Sequence, residues 1–312
     1  MDINKLRCAC YNSWDEKTCY DGVLDRWNEN NKELGHCAIT SMVVNDYIGG
    51  NIIKAVVKDE EDAHYFNEVD ENIIDLTIEQ YNYSPIYELT KIKTKADLLK
   101  NENTKKRYEI LSERVKLFLN KMDKVDKGVM NCNRCGSMVE NFTHHTTIYY
   151  GRDTDILLVG EAPANNGWRK SGKCWYGDNG KITGTGRILE KLLNDINRNL
   201  EDISFVEAIK CFPPNRSNLK RCKDNCYDYL LDQIKILKPK VIVPLGDTAT
   251  KSLLKDVKYK KFGEVVGVEH ELNINDIKYK VIPIYHPSPI SPVSYSGNVA
   301  IFEKIKEVSN EV

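Results

Sequence analysis

The sequence predicts an α/β protein with two domains. The second is a three-layer α/β/α domain around a mostly parallel sheet, and the first is a small α+β domain. Three observations predict this class. The chain of 312 residues exceeds the usual size of a single hydrophobic core. Its second half alternates β-like apolar runs with helical patterns, which is typical of parallel sheets, whereas its first half combines one apolar helix with short alternating runs.

The first domain contains the apolar segment CAITSMVVNDYIGG, followed by the short runs NIIKAVVK, HYFNEV and NIIDLT. Residues 91–127 are highly charged, with Leu, Ile and Val at helical spacing, and they predict one or two amphipathic helices. We therefore place the first domain at residues 1–117, a helical linker at 118–130 and the second domain at 131–312.

The second domain contains four β-like runs: DILLVG, ISFVEAIKC, KVIVPLG and KVIPIYH. Between them lie the helical patterns GRILEKLLNDINRNL and CYDYLLDQIKILK. Functional loops of a parallel sheet lie at the carboxyl ends of its strands. Three of the four runs lead directly into unusual loops, so we expect the functional site at this edge.

Composition limits the possible functions. Charged residues make up 29% of the chain and the net charge is −1, so there is no global signature of nucleic-acid binding, and contact with DNA would need a local basic patch. No apolar run approaches the roughly 18 residues of a membrane span, and the start MDINKLRCAC lacks the features of a signal peptide. We expect a cytoplasmic protein without a membrane partner. Its ten cysteines are then reduced thiols or metal ligands.

The loop after DILLVG is rich in Gly, Pro, Asn and aromatic residues, as expected where a backbone must approach a ligand. Its sequence, GEAPANNGWRKSGKCWYGD at residues 160–178, resembles the first motif of the iron–sulfur uracil-DNA glycosylases of families four and five. EAIKCFPPNR at 207–216 and YHPSPIS at 285–291 are similar to two further motifs of these families, in the same order. The resemblance spans about residues 128–308. It implies a DNA glycosylase that hydrolyses an N-glycosidic bond and leaves an abasic site; the oligomeric state stays open.

Four cysteines match the ligand pattern of these families. They are Cys132 and Cys135 in a C-x-x-C, Cys211 in the second motif, and Cys226 at the start of the following helix. The resemblance implies a [4Fe–4S] cluster bound by these thiolates. Tetrahedral zinc is the alternative, because four cysteines also satisfy Zn²⁺. Cys222, one turn before Cys226, is the spare candidate.

The resemblance also implies a pocket for a nucleotide flipped out of the duplex. Trp175 occupies the place of a Phe that stacks on the base, although a Trp in an α/β domain is also a common core residue. Ala162 and Asn215 are the further candidates for contact with the base. Ala162 stands where classical uracil glycosylases carry a catalytic carboxylate.

The predicted catalytic residues are a histidine and two acids. His286 is expected to donate a hydrogen bond to the departing base or to balance its charge. Asp178 matches the family-five aspartate that positions water, and Glu161 stands where family four carries a glutamate. We place Asp178 ahead of Glu161 for the water. Either acid could instead cap a turn or a helix.

Three residues are predicted to contact DNA outside the pocket. The loop after His286 is similar to the one that enters the minor groove, where Ile290 would act as the wedge. Ser288 in that loop and Arg216 after the double proline are the expected phosphate contacts. A packed Ile in a Pro/Ser turn is the alternative interpretation of Ile290.

Glu207 departs from the family pattern, which has an Asn that reads uracil. A neutral carboxylic acid can donate to cytosine N3 and accept from its N4 amine, whereas an ionised one can accept from guanine N1 and N2. We therefore predict that the base is not plain uracil but cytosine-like or a modified cytosine, as would be useful against phage DNA with altered cytosines. A plain uracil repair enzyme and a catalytically silent nucleic-acid sensor are the alternatives.

The N-terminal segment from about residue 12 to 117 resembles the small bacterial YunG-like proteins through LGHCAITSMVVNDYIGGNI, HYFN and IDLT. Independently, Cys37 at a helix start, His64 on a strand and Asp75 on the next strand are arranged like a papain-type Cys/His/Asp site. This pattern predicts a Cys-dependent hydrolase whose C-terminal domain serves recognition, as an alternative to a buried structural cysteine.

Overall fold

The computed structural model describes residues 1–58, 60, 62–81, 83–140, 147–152 and 154–311. The chain divides into two compact units, residues 1–120 and 121–311. The division falls inside the helix α4 (Glu102–Met130), which also contains the segment that we predicted as a linker. The domain limits at residues 117 and 130 stay a prediction.

The N-terminal unit is an antiparallel sheet with helices, as the sequence predicts. In chain order its elements are α1 (Ile3–Tyr11), α2 (Cys37–Tyr47), β1 (Asn51–Val57), β2 (Ala63–Val69), β3 (Asn72–Ile74), β4 (Tyr87–Lys93) and α3 (Lys95–Leu98). The strand order is β3-β2-β1-β4. The apolar helix α2 packs on β2 and β1, and six of its residues are buried. This packing explains why its sequence is nearly continuous in apolar residues.

The prediction of helix from residue 91 onward is wrong at its start. Residues 91–93 belong to β4, which pairs antiparallel with β1 through Ile53 and Ile92. The charges of this segment lie on an exposed edge strand, where lysines limit edge-to-edge association. The helical pattern begins in the structure only at α3.

The C-terminal unit is built on a six-stranded, mostly parallel sheet, which confirms the predicted α/β class. Its strands are β5 (Ile148–Tyr149), β6 (Ile156–Gly160), β7 (Ser204–Glu207), β8 (Val241–Pro244), β9 (His270–Ile274) and β10 (Ile277–Val281). They are ordered β5-β7-β6-β8-β10-β9. The inner four strands are parallel, and the edge strands β5 and β9 are antiparallel to their neighbours.

Helices follow the strands as expected for this class. They are α5 (Trp168–Ser171), α6 (Gly184–Asp195), α7 (Leu219–Leu237), α8 (Asp247–Leu253) and α9 (Val299–Asn310). Every residue of β6 is buried, as expected for a parallel strand that is covered on both faces. The largest core cluster joins Leu158 and Phe205 of the sheet to Leu189 of α6 and Phe302 of α9.

The carboxyl ends of the parallel strands carry the sequence motifs to one edge of the sheet. β6 ends at Gly160 and β7 at Glu207, which are paired in register. A parallel bridge between Leu245 and Ile284 extends the alignment beyond β8 and β10, so His286 reaches the same edge. Within the described parts of the chain, no helix combines the length and apolarity needed to cross a membrane.

Candidate functional site

A pocket of about 330 Å³ lies at this edge of the sheet. Trp175, Glu207 and His286, which come from three separate motifs, all line it. Further lining residues include Gly160, Glu161, Ala162, Phe205, Phe212, Pro213 and Arg216. The volume is in the range of small-ligand pockets. The three motifs therefore form one concave site.

Trp175 forms part of the wall of this pocket. Its side chain is 8% exposed, and its ring lies 4.5 Å from that of Phe205, centroid to centroid, at an angle of 54°. Its backbone has φ +67°, in the left-handed region that a bulky residue rarely adopts. The indole Nε1 is buried and has no hydrogen-bond partner among the described residues. Strained residues and unpaired buried donors of this kind cluster at functional sites.

Glu207 places a carboxyl group at the floor of the pocket. Its Oε2 is buried and has no partner within the described residues. A Cβ on Gly160 would overlap this oxygen, so glycine there leaves room for the carboxyl group. Burial raises the pKa of Glu207 to about 8, while Lys210 lowers it and Glu161 raises it further. The carboxyl group is therefore protonated at neutral pH.

His286 lies exposed at the rim of the pocket, next to Gly246. A Cβ on Gly246, which has φ +87°, would come within 3.1 Å of the His286 Cβ. Partial burial of the ring lowers the pKa of His286; Glu161 opposes this shift and Arg216 adds to it. The imidazole is thus neutral at pH 7. Arg216 is itself paired with Glu161 at 2.8 Å between Nη2 and Oε1.

The remaining predicted residues of this region occupy different positions. Asp178 is exposed on the turn from Gly177 to Gly180 and is not among the described residues that line the pocket. Asn215 is exposed, and its Oδ1 accepts a hydrogen bond from the Ser217 amide at 2.9 Å. Ser288 is half-buried, and its N–H donates to the His286 carbonyl at 2.7 Å. Ile290 is 92% exposed.

A second, smaller pocket of about 130 Å³ collects the predicted ligand cysteines. Cys132, Cys135, Cys211 and Cys226 all line it, whereas the spare candidate Cys222 is fully buried and is not one of the described residues around it. Two nitrogen atoms lie against these sulfurs. Asn225 Nδ2 is 3.3 Å from the Cys135 Sγ, and the Lys210 amide nitrogen is 3.5 Å from the Cys226 Sγ.

Lys210 connects the two pockets, and the sequence argument missed it. Its side chain is buried, and Nζ donates to the carbonyl of Glu207 at 2.5 Å and to the side chain of Gln233. Gln233 in turn donates to Thr147 at 2.8 Å. Burial lowers the pKa of Lys210 to about 8, although Cys226 and Glu207 oppose the shift. The only signal in the sequence was a lysine in the β-like run ISFVEAIKC, three residues after the end of β7.

The N-terminal unit brings its three predicted residues together at another site. Cys37 is the first residue of α2, and its thiol is a hydrogen-bond partner of His64. The Nε2 of His64 lies 2.7 Å from Oδ2 of Asp75. Cys37 faces a separate pocket of about 350 Å³.

Comparisons with protein-family models divide the chain in the same way. The model described as the uracil DNA glycosylase superfamily matches residues 148–307, and the model described as YunG protein matches residues 2–120. These matches confirm both resemblances predicted from the sequence.

Individual relatives agree with the family models. The type-4 uracil-DNA glycosylase of Archaeoglobus fulgidus is 30% identical over 172 residues, which cover 54% of this chain and 82% of that protein. The type-4 enzyme of Thermotoga maritima is 33% identical over 175 residues, or 54% of this chain and 81% of that protein. The uncharacterized protein YunG of Bacillus subtilis is 34% identical over 56 residues, which span 18% of this chain and 47% of that protein.

Proposed function

The chain belongs to the uracil DNA glycosylase superfamily, and from this membership we propose that it hydrolyses the N-glycosidic bond of a nucleotide flipped out of DNA, leaving an abasic site. The observation that carries the proposal is the single pocket lined by Trp175, Glu207 and His286. A glycosylase needs such a pocket, because its target bond is inaccessible inside the duplex.

The pocket offers an unpaired polar group and an aromatic face to an extruded base. The Glu207 Oε2 is buried without a partner in the described chain, and a hydrogen-bonding group of a base would satisfy it. The indole face of Trp175 would stack on the base. Outside the pocket, the exposed Ile290 would fill the gap in the duplex and Ser288 would contact phosphate, while Arg216, which lines the pocket, would contact phosphate next to the flipped nucleotide.

Cleavage separates a cation-like sugar from an electron-rich base, and His286 would act on the base. Because its pKa is lowered, the neutral ring can donate a hydrogen bond to an oxygen of the departing base. For the attacking water, Glu161 is the acid inside the pocket, where its pairing with Arg216 fixes its position. Asp178 remains the second candidate for this role.

The protonated Glu207 favours a cytosine-like base, because such a base needs a proton in order to leave. A cytosine anion is a poorer leaving group than a uracil anion, since it carries one fewer carbonyl to spread the charge. The protonated Glu207 can accept from the N4 amine and transfer its proton to N3. When the bond from C1′ to N1 breaks, its electron pair stays on the base. The base leaves as a neutral molecule, because N3 has taken the proton of Glu207. Water adds its oxygen to C1′ and its proton to Glu161.

The experiment measures base release from single- and double-stranded oligonucleotides that contain uracil, hypoxanthine, cytosine, hydroxymethylcytosine or glucosylated cytosine. Released bases are identified by mass spectrometry, and abasic sites are detected as alkali-labile breaks. We expect release of a cytosine-type base, and we expect Glu207→Asn, which introduces the amide of the family, to shift preference toward uracil. A modified cytosine as best substrate would agree with a role against phage DNA.

Two outcomes would contradict these proposals separately. Efficient uracil release that survives Glu207→Ala would refute the cytosine specificity and leave a uracil repair glycosylase. DNA binding without an abasic site from any of the substrates would refute catalysis and identify a nucleic-acid sensor.

We further propose that Cys132, Cys135, Cys211 and Cys226 hold a [4Fe–4S] cluster. The four thiols line one space of about 130 Å³, which suits a group larger than a single zinc ion. When bound, the cluster would supply a structural cross-link between the chain before β5, the loop after β7 and α7.

The cluster proposal has a matched pair of variants. We expect the purified protein to be brown, with iron by elemental analysis, and Cys226→Ser to lose both colour and iron. Cys174→Ser, which changes a buried cysteine that is not among the described residues around the cysteine pocket, is expected to keep them. Zinc without visible absorbance in the unmodified protein would overturn the assignment.

A further inference from the structure

The N-terminal unit holds a cluster of reactive side chains that the glycosylase reaction does not use. We propose that Cys37, His64 and Asp75 form a second active site, a thiol hydrolase that cleaves an amide or ester bond of a polar acyl compound. This proposal goes beyond the DNA glycosylase function and does not depend on it.

Cys37 is placed as a nucleophile should be. It is the first residue of α2, and the preceding residue, His36, makes no side-chain capping hydrogen bond. The first amide groups of a helix have no acceptor within the helix and carry a partial positive charge. A carbonyl substrate on the Cys37 sulfur would therefore place its developing oxyanion next to N–H donors, as in other acyl-transfer enzymes.

His64 is fixed in one orientation by its neighbours. Its side chain is fully buried on β2, and its Nε2 is 2.7 Å from the Asp75 Oδ2, so Nδ1 is the nitrogen left for the thiol. The ring of Tyr87 lies parallel to the imidazole, at an angle of 2° and a centroid distance of 5.9 Å. Gln80 Nε2 lies 3.2 Å from Nδ1, on the pocket side.

Asp75 is itself held by three donors. The Thr77 amide and hydroxyl donate to Oδ1 at 3.0 and 3.1 Å, and the Tyr87 hydroxyl donates to Oδ2 at 3.1 Å. A carboxylate that is ordered in this way orients the imidazole and stabilises its charged form. Burial of His64 works against the charge, but hydrogen bonds to Asp75 and Cys37 raise its pKa to about 10. The histidine can therefore keep a proton taken from the thiol.

The pocket in front of Cys37 indicates the class of substrate. Its volume is about 350 Å³, and Tyr20, Tyr65, Tyr81 and Glu60 contribute to its wall together with Arg107. Phenol, carboxylate and guanidinium groups favour a polar acyl group, such as a peptidyl or aminoacyl group, over a long aliphatic chain. The compound must bring a carbonyl carbon to the sulfur at the start of α2.

The reaction follows from these positions. The proton of the thiol already lies on Nδ1 of His64 when the Cys37 sulfur bonds to the carbonyl carbon, and the π electrons go to oxygen. The bond to the leaving nitrogen or oxygen then breaks, and this atom takes the proton from His64. Water next attacks the thioester, giving its proton to His64. The carboxylic acid is released and the thiol reforms.

The experiment uses the full chain, with p-nitrophenyl acetate and iodoacetamide as probes. We expect an acetyl thioester on Cys37 by peptide mass spectrometry, and turnover that falls by about 100-fold or more in His64→Asn. Iodoacetamide should also modify Cys37 more slowly in that variant. His270→Asn, which changes a histidine on β9, is the matched control and is expected to retain both rates.

A second variant keeps the test decisive if His64→Asn does not fold. Asp75→Asn preserves the size of the side chain, and we expect it to reduce thioester formation at least tenfold while the circular dichroism spectrum is unchanged. Folded variants that alkylate Cys37 as fast as the unmodified protein, together with no acetyl group on Cys37, would overturn the proposal. Since no DNA is used, failure here says nothing against the glycosylase.

Discussion

His64 and His286 lie in the two units of the same chain and are held in opposite states of charge. His64 is buried against Asp75 at 2.7 Å, and its pKa is raised to about 10. His286 is exposed at the rim of the base pocket, and its pKa is lowered by partial burial and by Arg216. One ring is thus charged at neutral pH and the other is neutral.

The carboxylates beside the two rings explain this difference. Besides His64, the neutral Thr77 and Tyr87 groups donate to the Asp75 carboxylate, whereas the Arg7 guanidinium donates to the Asp75 backbone carbonyl at 2.9 Å, so the carboxylate is free to act on the ring. Glu161 is already paired with Arg216, whose positive charge opposes its effect on His286. A charged ring suits a thiol partner and a neutral ring suits donation to a leaving base. The identity of the residue alone therefore does not define the chemistry.

Replacement of each histidine by asparagine is expected to cause the largest loss of activity, and it tests whether the two sites are independent. We expect His286→Asn to lower base release by about 10²- to 10³-fold, since a positioned hydrogen-bond donor to the leaving base is lost. His64→Asn should leave base release unchanged while it removes thiol turnover. Both rates are measured on the same two proteins. If either variant lost both activities while folded, the comparison between two separate sites would fail.

Removal of the Trp175 indole is expected to have the next largest effect, which is a loss of base release only. We expect Trp175→Ala to weaken catalysis by roughly 10- to 100-fold, because stacking on a base contributes about 1–3 kcal/mol. Trp175→Phe, which introduces the family residue, should recover most of this loss. Single-turnover rates are the measurement, with thermal unfolding as a check on folding, since Trp175 also packs on Phe205. Equal rates in all three proteins would exclude stacking.

The local sequence pattern predicted those strands and helices that depend on residues close together in the chain. The four β-like runs became β6, β7, β8 and β10, and the three motif loops meet at their carboxyl ends. The carboxyl ends of parallel strands lie at one edge of a sheet, so the loops that follow them must lie close together. Trp175, Glu207 and His286 could therefore be placed in one site from the sequence alone.

Contacts between distant segments could not be predicted. The chain of hydrogen bonds from Lys210 through Gln233 to Thr147 joins three segments whose side chains show no pattern of their own. The pairing of β4 with β1 likewise overrides the local signal for helix at residues 91–93. Asp178 and Glu161 belong to one motif, yet only Glu161 is among the described residues that line the pocket, because the turn after Gly177 carries Asp178 into solvent.

The pH dependence of base release is expected to be a moderate effect, and it tests the role of Glu207. Its pKa is raised to about 8 by burial and by Glu161, against Lys210, so the proton is present below pH 8 and is lost above it. We expect release of a cytosine-type base to fall about tenfold per pH unit above 8, since only the protonated form donates to N3. Glu207→Gln should give a flat profile at a lower rate. A Gln variant as fast as the unmodified protein would show that no proton transfer is needed.

The smallest expected effect concerns Ile290, whose side chain is 92% exposed and so contributes little to the core. We expect Ile290→Ala to slow base release from duplex DNA by about tenfold, because unstacking costs a few kcal/mol and the wedge offsets part of it. Release from single-stranded DNA should be unchanged, since no stack has to be opened there. Val268→Ala, another exposed apolar residue, is the matched control. An equal loss on both substrates would assign Ile290 to the pocket rather than to the duplex.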